Sequence, residues 1–248
     1  MLRACVSGVL FPCQLPRARL GGLSAATQIE EKIVDEIPLS KRLALHALWV
    51  TTDGREGTRI DLSRESIPGL NTRDAVLTGA KLNDSDLRKA EMSDDNLVGA
   101  DLGGSDLRGA DLKGADFTDA RLKGIRLRGA NLNRANLQNA QLAFADLRDA
   151  TLVEVDFNEA NLLGADLEGV DLRGAKLRAA NLSAADLKGA NLSGTDFSYA
   201  NLLGCDLEGA TFDAETNFQF AKADTAGLRK ADLTAMRKEN LPAAFWEK

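Results

Sequence analysis

The sequence is poor in the residues that build most globular cores and most active sites. Aromatic residues make up 5% of its 248 positions, and it contains one His, three Cys and five Pro. His46 stands alone, without a Ser/His/Asp, zinc-ligand or phosphate-loop pattern around it. We therefore predict no catalytic residue, no cofactor and no metal site.

Two further absences concern the surroundings of the protein. Cys5 and Cys13 are eight residues apart, which is not a metal-ligand spacing, and no disulfide framework is visible. The sequence also has no run of 18 apolar residues, so no transmembrane helix is predicted. These features favour a cytoplasmic protein without membrane contact.

Leucine recurs with a five-residue period through most of the chain. From about Ala75 to Ala210 every fifth residue is Leu, Phe or Met, and a small residue nearly always stands two positions before it, as in ADLKG and ANLNR. A step of five turns an α-helix by about 140° and flips a side chain across a straight strand, so neither element keeps every leucine inside. The two residues after each leucine are turn-prone, as in Arg108-Gly109. The sequence therefore predicts a β-solenoid that bends once per repeat.

Surface residues repeat every 20 positions, which predicts four pentapeptides per coil. In one column of residues just before the leucine, only Arg126 interrupts a series of aspartates: Asp86, Asp106, Asp146, Asp166, Asp186 and Asp206. Another column carries the amides Gln141, Asn161, Asn181 and Asn201. The inward phenylalanines are 40 residues apart: Phe117, Phe157 and Phe197. A four-sided tube accounts for all of these spacings.

The repeat resembles that of the pentapeptide repeat family: a small residue, a polar residue, Leu or Phe, then two polar or turn residues. The resemblance covers roughly residues 58–235, and the stretch from His46 to Leu62 is similar to the lead-in that often precedes the repeats in bacterial members. The resemblance implies an all-β fold, a right-handed four-sided parallel β-helix. We expect about eight coils with short helical N- and C-terminal caps. It implies no catalytic residues, because the family has none in common.

The N-terminal residues depart from the repeat. Residues 1–29 contain three Arg and no acidic residue, which favours either a disordered leader or an organelle-targeting segment. Residues 30–57 have a helical pattern that Pro38 interrupts, and Ser40 is the expected N-cap of a helix from Lys41. We expect this region to cover the open edge of the first coil.

The C-terminal end departs from it as well. The five-residue register slips by one after Phe212, which predicts a one-residue insertion within 213–215 and an eighth coil beyond it. The solenoid is assigned to 58–235 and a C-terminal cap to 236–248. Phe245 and Trp246 either cover the last coil or bind a second copy of the chain as a homodimer.

Two inward positions break the pattern. Asp95 stands where a small residue is expected, and Thr72 stands where a leucine is expected. A local turn bond, exposure at a bulge or a binding role would each explain Asp95.

Two surfaces are candidates for function. The first is an apolar strip on the side of the amides, predicted to point outward, which we take as a protein-interaction surface: Ala143, Phe144, Leu163 and Leu203. The second is the column of six aspartates named above, beside which Arg88, Arg108, Arg128 and Arg148 follow the leucines. We interpret that column as a solvated ladder of alternating charges; the alternative is a surface that binds a cation or an acidic partner.

These observations favour a non-enzymatic scaffold that binds a protein partner. The alternative is a DNA mimic that occupies the DNA site of a type II topoisomerase, as the resemblance to quinolone-resistance members of the family implies. Residues 75–214 hold 15 Lys/Arg and 23 Asp/Glu, a net charge of −8. Seven coils of about 4.8 Å span roughly 34 Å, over which duplex DNA carries about 20 negative charges. The charge therefore favours the scaffold, and no direct nucleic-acid binding is expected.

Overall fold

The computed structural model describes residues 37–224, 234–235 and 237–240. Contacts divide the chain into Met1–Pro38 and Leu39–Lys248, and almost all described residues belong to the second unit. No helix among the described residues is long and apolar enough to cross a membrane. The predictions for residues 1–29, for 225–233 and for Phe245 and Trp246 lie outside the described residues.

Parallel bridges between residues one coil apart hold the repeats together. Each bridge joins a residue to the one 20 positions later, from Asp61↔Lys81 through Asn191↔Thr211. Bridge residues recur every five positions, so each coil has four sides and the pentapeptides form a β-helix. Each side contributes one bridge residue only, so the pairing is a series of isolated parallel bridges rather than extended strands. Eight successive bridges join one column of nine residues: Asp61, Lys81, Asp101, Arg121, Gln141, Asn161, Asn181, Asn201 and Lys222.

Nearly every corner is a tight turn that starts at the central residue of the repeat, in most cases a leucine. At one corner the amide of Ala80 donates to the carbonyl of Leu77 at 2.9 Å. Gly79, the third turn residue, has a φ of 67°. A positive φ at this position is the mark of a type II turn and explains the frequent glycine there. The corner therefore turns both neighbouring side chains of the repeat, the leucine and the small residue, toward the interior.

The core is a stack of leucines and alanines in successive coils. The central residues and the small residues from Leu77 to Ala210 are buried almost without exception. Phe197 and Phe218 stack with their ring centroids 4.8 Å apart, one coil from each other. Cys205 takes a small-residue position, and burial raises the pKa of its thiol to about 12. This thiol is therefore a packing group rather than a nucleophile.

The two residues that break the pattern are partners of each other. Asp95 is completely buried, and its carboxylate accepts hydrogen bonds from the Thr72 hydroxyl at 2.5 Å and the Ala75 amide at 2.8 Å. Thr72 lies one coil before Asp95, where a leucine could not have donated such a bond. Exposure of Asp95 at a bulge, one of the three expectations, is wrong.

One α-helix, α1, spans Leu39–Thr51 and precedes the first coil. It begins before Ser40, which lies inside it and is not its N-cap. Leu39 and Leu43 pack against the core, and Arg42 forms an ion pair of 2.7 Å with Glu65 of the first coil. The residues of the predicted N-terminal cap that precede Ile37 lie outside the described residues.

The register slip near the C-terminus is a one-residue insertion. Asp196 pairs with Asn217 and Asn201 with Lys222, so both bridges span 21 residues instead of 20. The extra residue lies at 213–216, where the Asp213 carboxylate accepts from the Glu215 and Thr216 amides. A short 3-10 helix spans Lys238–Asn240, and the Asn240 carbonyl accepts from Phe218. The β-helix predicted from the sequence is thus observed; the C-terminal cap remains a prediction.

Candidate functional site

One side of the β-helix carries charged residues in its first coils and only uncharged residues in several later coils. We call this side the amide face; it comprises the bridge residue and the two turn residues of every coil from Asp61 onward. Its first half carries the charged residues Asp61, Arg64, Lys81, Asp84, Asp101, Arg121 and Lys123. From Gln141 to Gly204 it is wholly uncharged, and we call this stretch the uncharged half-face; charge returns with Lys222 and Asp224 in the next coil. Its residues are Gln141, Ala143, Phe144, Asn161, Leu163, Gly164, Asn181, Ser183, Ala184, Asn201, Leu203 and Gly204. In a chain with 27% charged residues, the uncharged half-face is a distinct surface.

The amides of the uncharged half-face bond to one another along the coil axis. The Asn161 side chain donates to the Gln141 oxygen at 3.3 Å, and Asn181 donates to the Asn161 oxygen at 3.1 Å. Asn201 continues the series by donating to the Asn181 oxygen at 3.2 Å. The amide ladder expected from the sequence therefore holds four successive coils in register.

The same bonds leave the ladder rich in donors. The Asn161 oxygen also accepts from the Leu163 amide at 3.2 Å, and the Asn181 oxygen also accepts from the Ser183 amide at 3.2 Å. Both lone pairs of each oxygen are thereby engaged. The side-chain nitrogens of Asn161, Asn181 and Asn201 each carry two N–H groups, and the ladder uses one, whereas the Gln141 nitrogen donates to the Asn139 carbonyl at 3.1 Å. The second N–H of these three Asn side chains finds no acceptor among the described residues, so the half-face presents a row of three donors.

The apolar strip predicted on this face differs in one residue from the expectation. Phe144 and Leu203 are 59% and 48% exposed, and Leu163 is half-buried. Ala143 was expected to point outward and is instead buried, with 8% exposure. Its methyl group is short, and the longer side chains of Lys123 and Leu163 occupy the same column one coil before and one coil after it. The exposed strip therefore consists of Phe144, Leu163 and Leu203.

An aromatic stack that was not predicted from the sequence lies at the neighbouring corner. Tyr199 and Phe220 stack with ring centroids 4.9 Å apart, and the Arg178 guanidinium lies over the Tyr199 ring at 5.2 Å. Tyr199 and Phe220 are 51% and 68% exposed. Both have positive φ values, as Phe144 does. An aromatic residue at the third turn position was the signal in the sequence that could have revealed them.

The column of six aspartates is largely neutralised by neighbouring cations. Arg88, Arg108 and Arg148 each form an ion pair with the Asp two positions earlier, at 2.6–2.8 Å. Arg148 also lies 3.1 Å from Asp166, and Lys188 bridges Asp186 and Asp206 at 3.5 and 3.3 Å. Every aspartate of the column therefore has a cation within 3.5 Å.

These ion pairs lower the pKa values of three of the aspartates. The side-chain hydrogen bond from Arg88 holds the pKa of Asp86 well below its usual value. Arg108 and Arg148 lower the pKa of Asp106 and Asp146 in the same way. The paired carboxylates therefore stay ionised at neutral pH, and their charge is matched locally. Among the described residues no group of His, Cys, Asp or Glu is arranged to hold a metal ion.

Comparisons with solved structures return pentapeptide repeat proteins. HetL, involved in heterocyst differentiation regulation in the cyanobacterium Nostoc sp. Strain PCC 7120, is 26% identical; the match covers 78% of this chain and 96% of HetL, with a TM-score of 0.40. A protein from the Arabidopsis thaliana thylakoid lumen is 32% identical over 38% of this chain and 65% of its own, with a TM-score of 0.37. QnrB1, a plasmid-mediated fluoroquinolone resistance protein, is 21% identical over 68% of this chain and 93% of its own, with a TM-score of 0.43.

A comparison with curated proteins gives no match. The family model described as pentapeptide repeats matches in 8 copies, over residues 96–134, 135–174 and 175–213. These residues form the most regular part of the coil, where every bridge up to Asn191↔Thr211 spans 20 residues. The chain belongs to the pentapeptide repeat family, whose fold is the right-handed β-helix.

Proposed function

We propose that this protein is a non-enzymatic, rigid scaffold that binds a protein partner through the uncharged half-face. The observation that carries the proposal is the absence of charge from all outward positions of that half-face between Gln141 and Gly204. The centres of protein interfaces are depleted in charged residues and enriched in aromatic ones. Phe144, more than half exposed, supplies an aromatic group of that kind.

The hydrogen-bonding pattern indicates the chemistry of the partner. Because the oxygens of Asn161 and Asn181 are engaged within the face, the amide ladder offers N–H donors outward. A complementary surface presents hydrogen-bond acceptors opposite the ladder and apolar groups opposite Phe144 and Leu203. A charged group placed there would lose water without gaining a counter-charge. The expected partner surface is therefore uncharged and rich in acceptors.

Rigidity supports the role of a scaffold. Backbone hydrogen bonds run from each coil to the next at nearly every leucine, for example from Leu162 to Asn181 at 2.7 Å and from Leu182 to Asn201 at 2.8 Å. Side chains held on such a frame lose little conformational freedom when a partner binds, which reduces the cost of association.

The topoisomerase-directed DNA mimic is the second candidate, and the acidic column is the observation in its favour. Asp86, Asp106 and Asp146 form a line of carboxylates along one side. Their ion pairs with arginines weigh against mimicry, because a duplex presents unpaired phosphates in a dense line. We therefore place the scaffold first.

Affinity capture with matched variants tests the proposal. Wild-type protein is immobilised beside Phe144→Ser and Asn181→Asp, which remove the aromatic group or put a charge into the ladder. The control is Asn191→Asp, the same substitution on a bridge residue of another side, which is half-buried like Asn181.

We expect a specific partner to be captured by wild type and by Asn191→Asp and to be lost with both variants of the half-face. Retention by all three variants would refute the assignment of this surface. Loss only when the aspartates of the column are changed to Asn would favour the second candidate.

A further inference from the structure

The only histidine of the chain lies at the contact between α1 and the first coil. His46 is fully buried, and its Nδ1 accepts a hydrogen bond from the Ile60 amide at 3.2 Å. An imidazole that accepts at Nδ1 is neutral and carries its proton on Nε2. The tautomer is therefore fixed by the backbone of the residue that leads into the coil.

The remaining surroundings of the ring offer little to a positive charge. Nε2 has no hydrogen-bond partner among the described residues. One face of the ring stacks on Trp49 with centroids 5.6 Å apart. The Arg59 guanidinium lies 6.0 Å from the centroid of that same indole. A second cation would thus be buried close to an arginine.

The charged groups at this contact come from three elements. From α1, Arg42 is paired with Glu65 of the first coil. Arg59 precedes the coil and disfavours protonation of His46. Two backbone carbonyls, those of Leu77 and Thr78, act in the opposite direction and favour protonation of the ring. Burial is the largest effect and Arg59 acts with it, so the pKa of His46 is lowered from 6.5.

We propose that His46 is an acid-sensitive latch, which holds α1 on the first coil while its imidazole is neutral and releases α1 when the ring is protonated. Protonation places a hydrogen on Nδ1, so the Ile60 N–H loses its acceptor and meets a second donor. The ring must then leave its site to be solvated. Because α1 carries His46, Leu39 and Leu43 into the same contact, departure of the ring uncovers the end of the core.

The direction of the pH dependence follows from the two states of His46. The ring binds a proton more readily once α1 is released, where its ordinary value of 6.5 applies, than in the docked state, where the pKa is lower. Docking is therefore strongest above that value and weakens as the pH falls below it. One coupled proton changes the release equilibrium by up to about tenfold per pH unit.

Trp49 provides the readout. The chain contains two Trp residues, so Trp246→Phe leaves Trp49, stacked on His46, as the single fluorophore. We expect its emission to shift to longer wavelength as the pH falls from 7.5 to 5, with no shift above 6.5. The same titration is run with His46→Asn, whose side-chain oxygen can accept from Ile60 and does not titrate. A red shift of equal size in the Asn variant would show that the transition does not depend on His46 and would overturn the proposal.

NMR keeps the proposal testable if the Asn variant fails to dock. Because the chain has one histidine, its imidazole gives one set of signals in the otherwise wild-type protein. We expect the ¹⁵N shifts at neutral pH to show an unprotonated Nδ1, and protection of the Ile60 amide to fall together with protonation of the ring. Titration of the ring at or above its ordinary value, or protonation with Ile60 still protected, would overturn the latch.

Discussion

The ring of Phe144 lies on Gly164, the residue one coil later in the same corner column. A Cβ atom on Gly164 would lie 2.9 Å from both Cδ1 and Cε1 of the ring, closer than such atoms approach. Phe144 also has a φ of 61°, which costs a residue with a Cβ about 1 kcal/mol or more. Because Gly164 has no side chain, the exposed Phe144 ring can pack against its backbone on the uncharged half-face.

This contact predicts a difference between two glycine substitutions. Gly164→Ala and Gly169→Ala both place a Cβ on a residue with positive φ, 61° and 70°. Only the first adds a clash with a ring, because no described residue lies within 4 Å of a Cβ at Gly169. We expect each to lose about 1 kcal/mol from the backbone, and Gly164→Ala to lose about 1 kcal/mol more, or to displace Phe144 and weaken partner capture.

Thermal unfolding followed by circular dichroism measures the first effect, and affinity capture measures the second. Gly169→Ala should capture the partner as wild type does. Equal stability and equal capture for the two variants would show that the contact between Phe144 and Gly164 contributes neither to stability nor to partner binding.

A buried leucine and an exposed leucine should lose very different amounts of stability on the same substitution. Leu147 is completely buried in a middle coil, whereas Leu203 is 48% exposed. Leu147→Asp places a charge in an apolar column and should lower the free energy of unfolding by about 3–5 kcal/mol. Leu203→Asp makes the same chemical change at the surface and should stay within about 0.5 kcal/mol of wild type. Urea denaturation compares them, and similar losses would contradict the assigned orientation.

The sequence was sufficient to predict the repeat and its register. A side chain that points inward at one leucine points inward at every leucine, so one period determines most of the core. The 20-residue columns predicted the bridges, and the slip after Phe212 predicted the 21-residue spacing of Asp196↔Asn217. Because the pattern repeats in every coil, a prediction made for one column is tested at several positions.

The contacts of side chains outside the core were harder to predict from the sequence. Burial of Ala143 depends on the side chains of its neighbours one coil away, which a column of letters does not give. The stack of Tyr199 on Phe220 crosses the insertion, so a strict 20-residue period places the two residues in different columns. The start of α1 at Leu39 shows that Ser40, a good N-cap by type, was not at the helix end.

Asp95 predicts a pH-dependent stability. Desolvation raises the pKa of this buried carboxyl above its unfolded value, so the folded protein binds the proton more readily. Stability should therefore fall as the pH rises through the interval between the two values, and remain reduced at pH 7. Asp95→Asn removes the charge and keeps an acceptor for the Ala75 amide, while its NH2 group can donate to the Thr72 hydroxyl oxygen in place of the bond that Thr72 donates in the wild type.

We expect Asp95→Asn to be more stable than wild type at pH 7 and to lose that advantage as the pH falls toward 3.8. Urea denaturation at a series of pH values gives the difference directly. Thr72→Val, which removes one donor to the carboxylate, serves as the comparison and should be less stable than wild type at pH 7. An advantage of Asp95→Asn that did not vary with pH would attribute it to packing instead of charge.

The ranking of scaffold above DNA mimic predicts the outcome of a topoisomerase assay. A surface that binds duplex DNA meets about one negative charge per 1.7 Å, whereas here Arg88, Arg108 and Arg148 pair with the aspartates beside them. The purified protein should therefore leave supercoiling by DNA gyrase unchanged at micromolar concentration and should not protect gyrase from quinolones. Inhibition that disappears when the column from Asp86 to Asp206 is changed to Asn would reverse the ranking. Inhibition that persists in that variant and is lost with Phe144→Ser would instead identify the enzyme as a partner of the uncharged half-face.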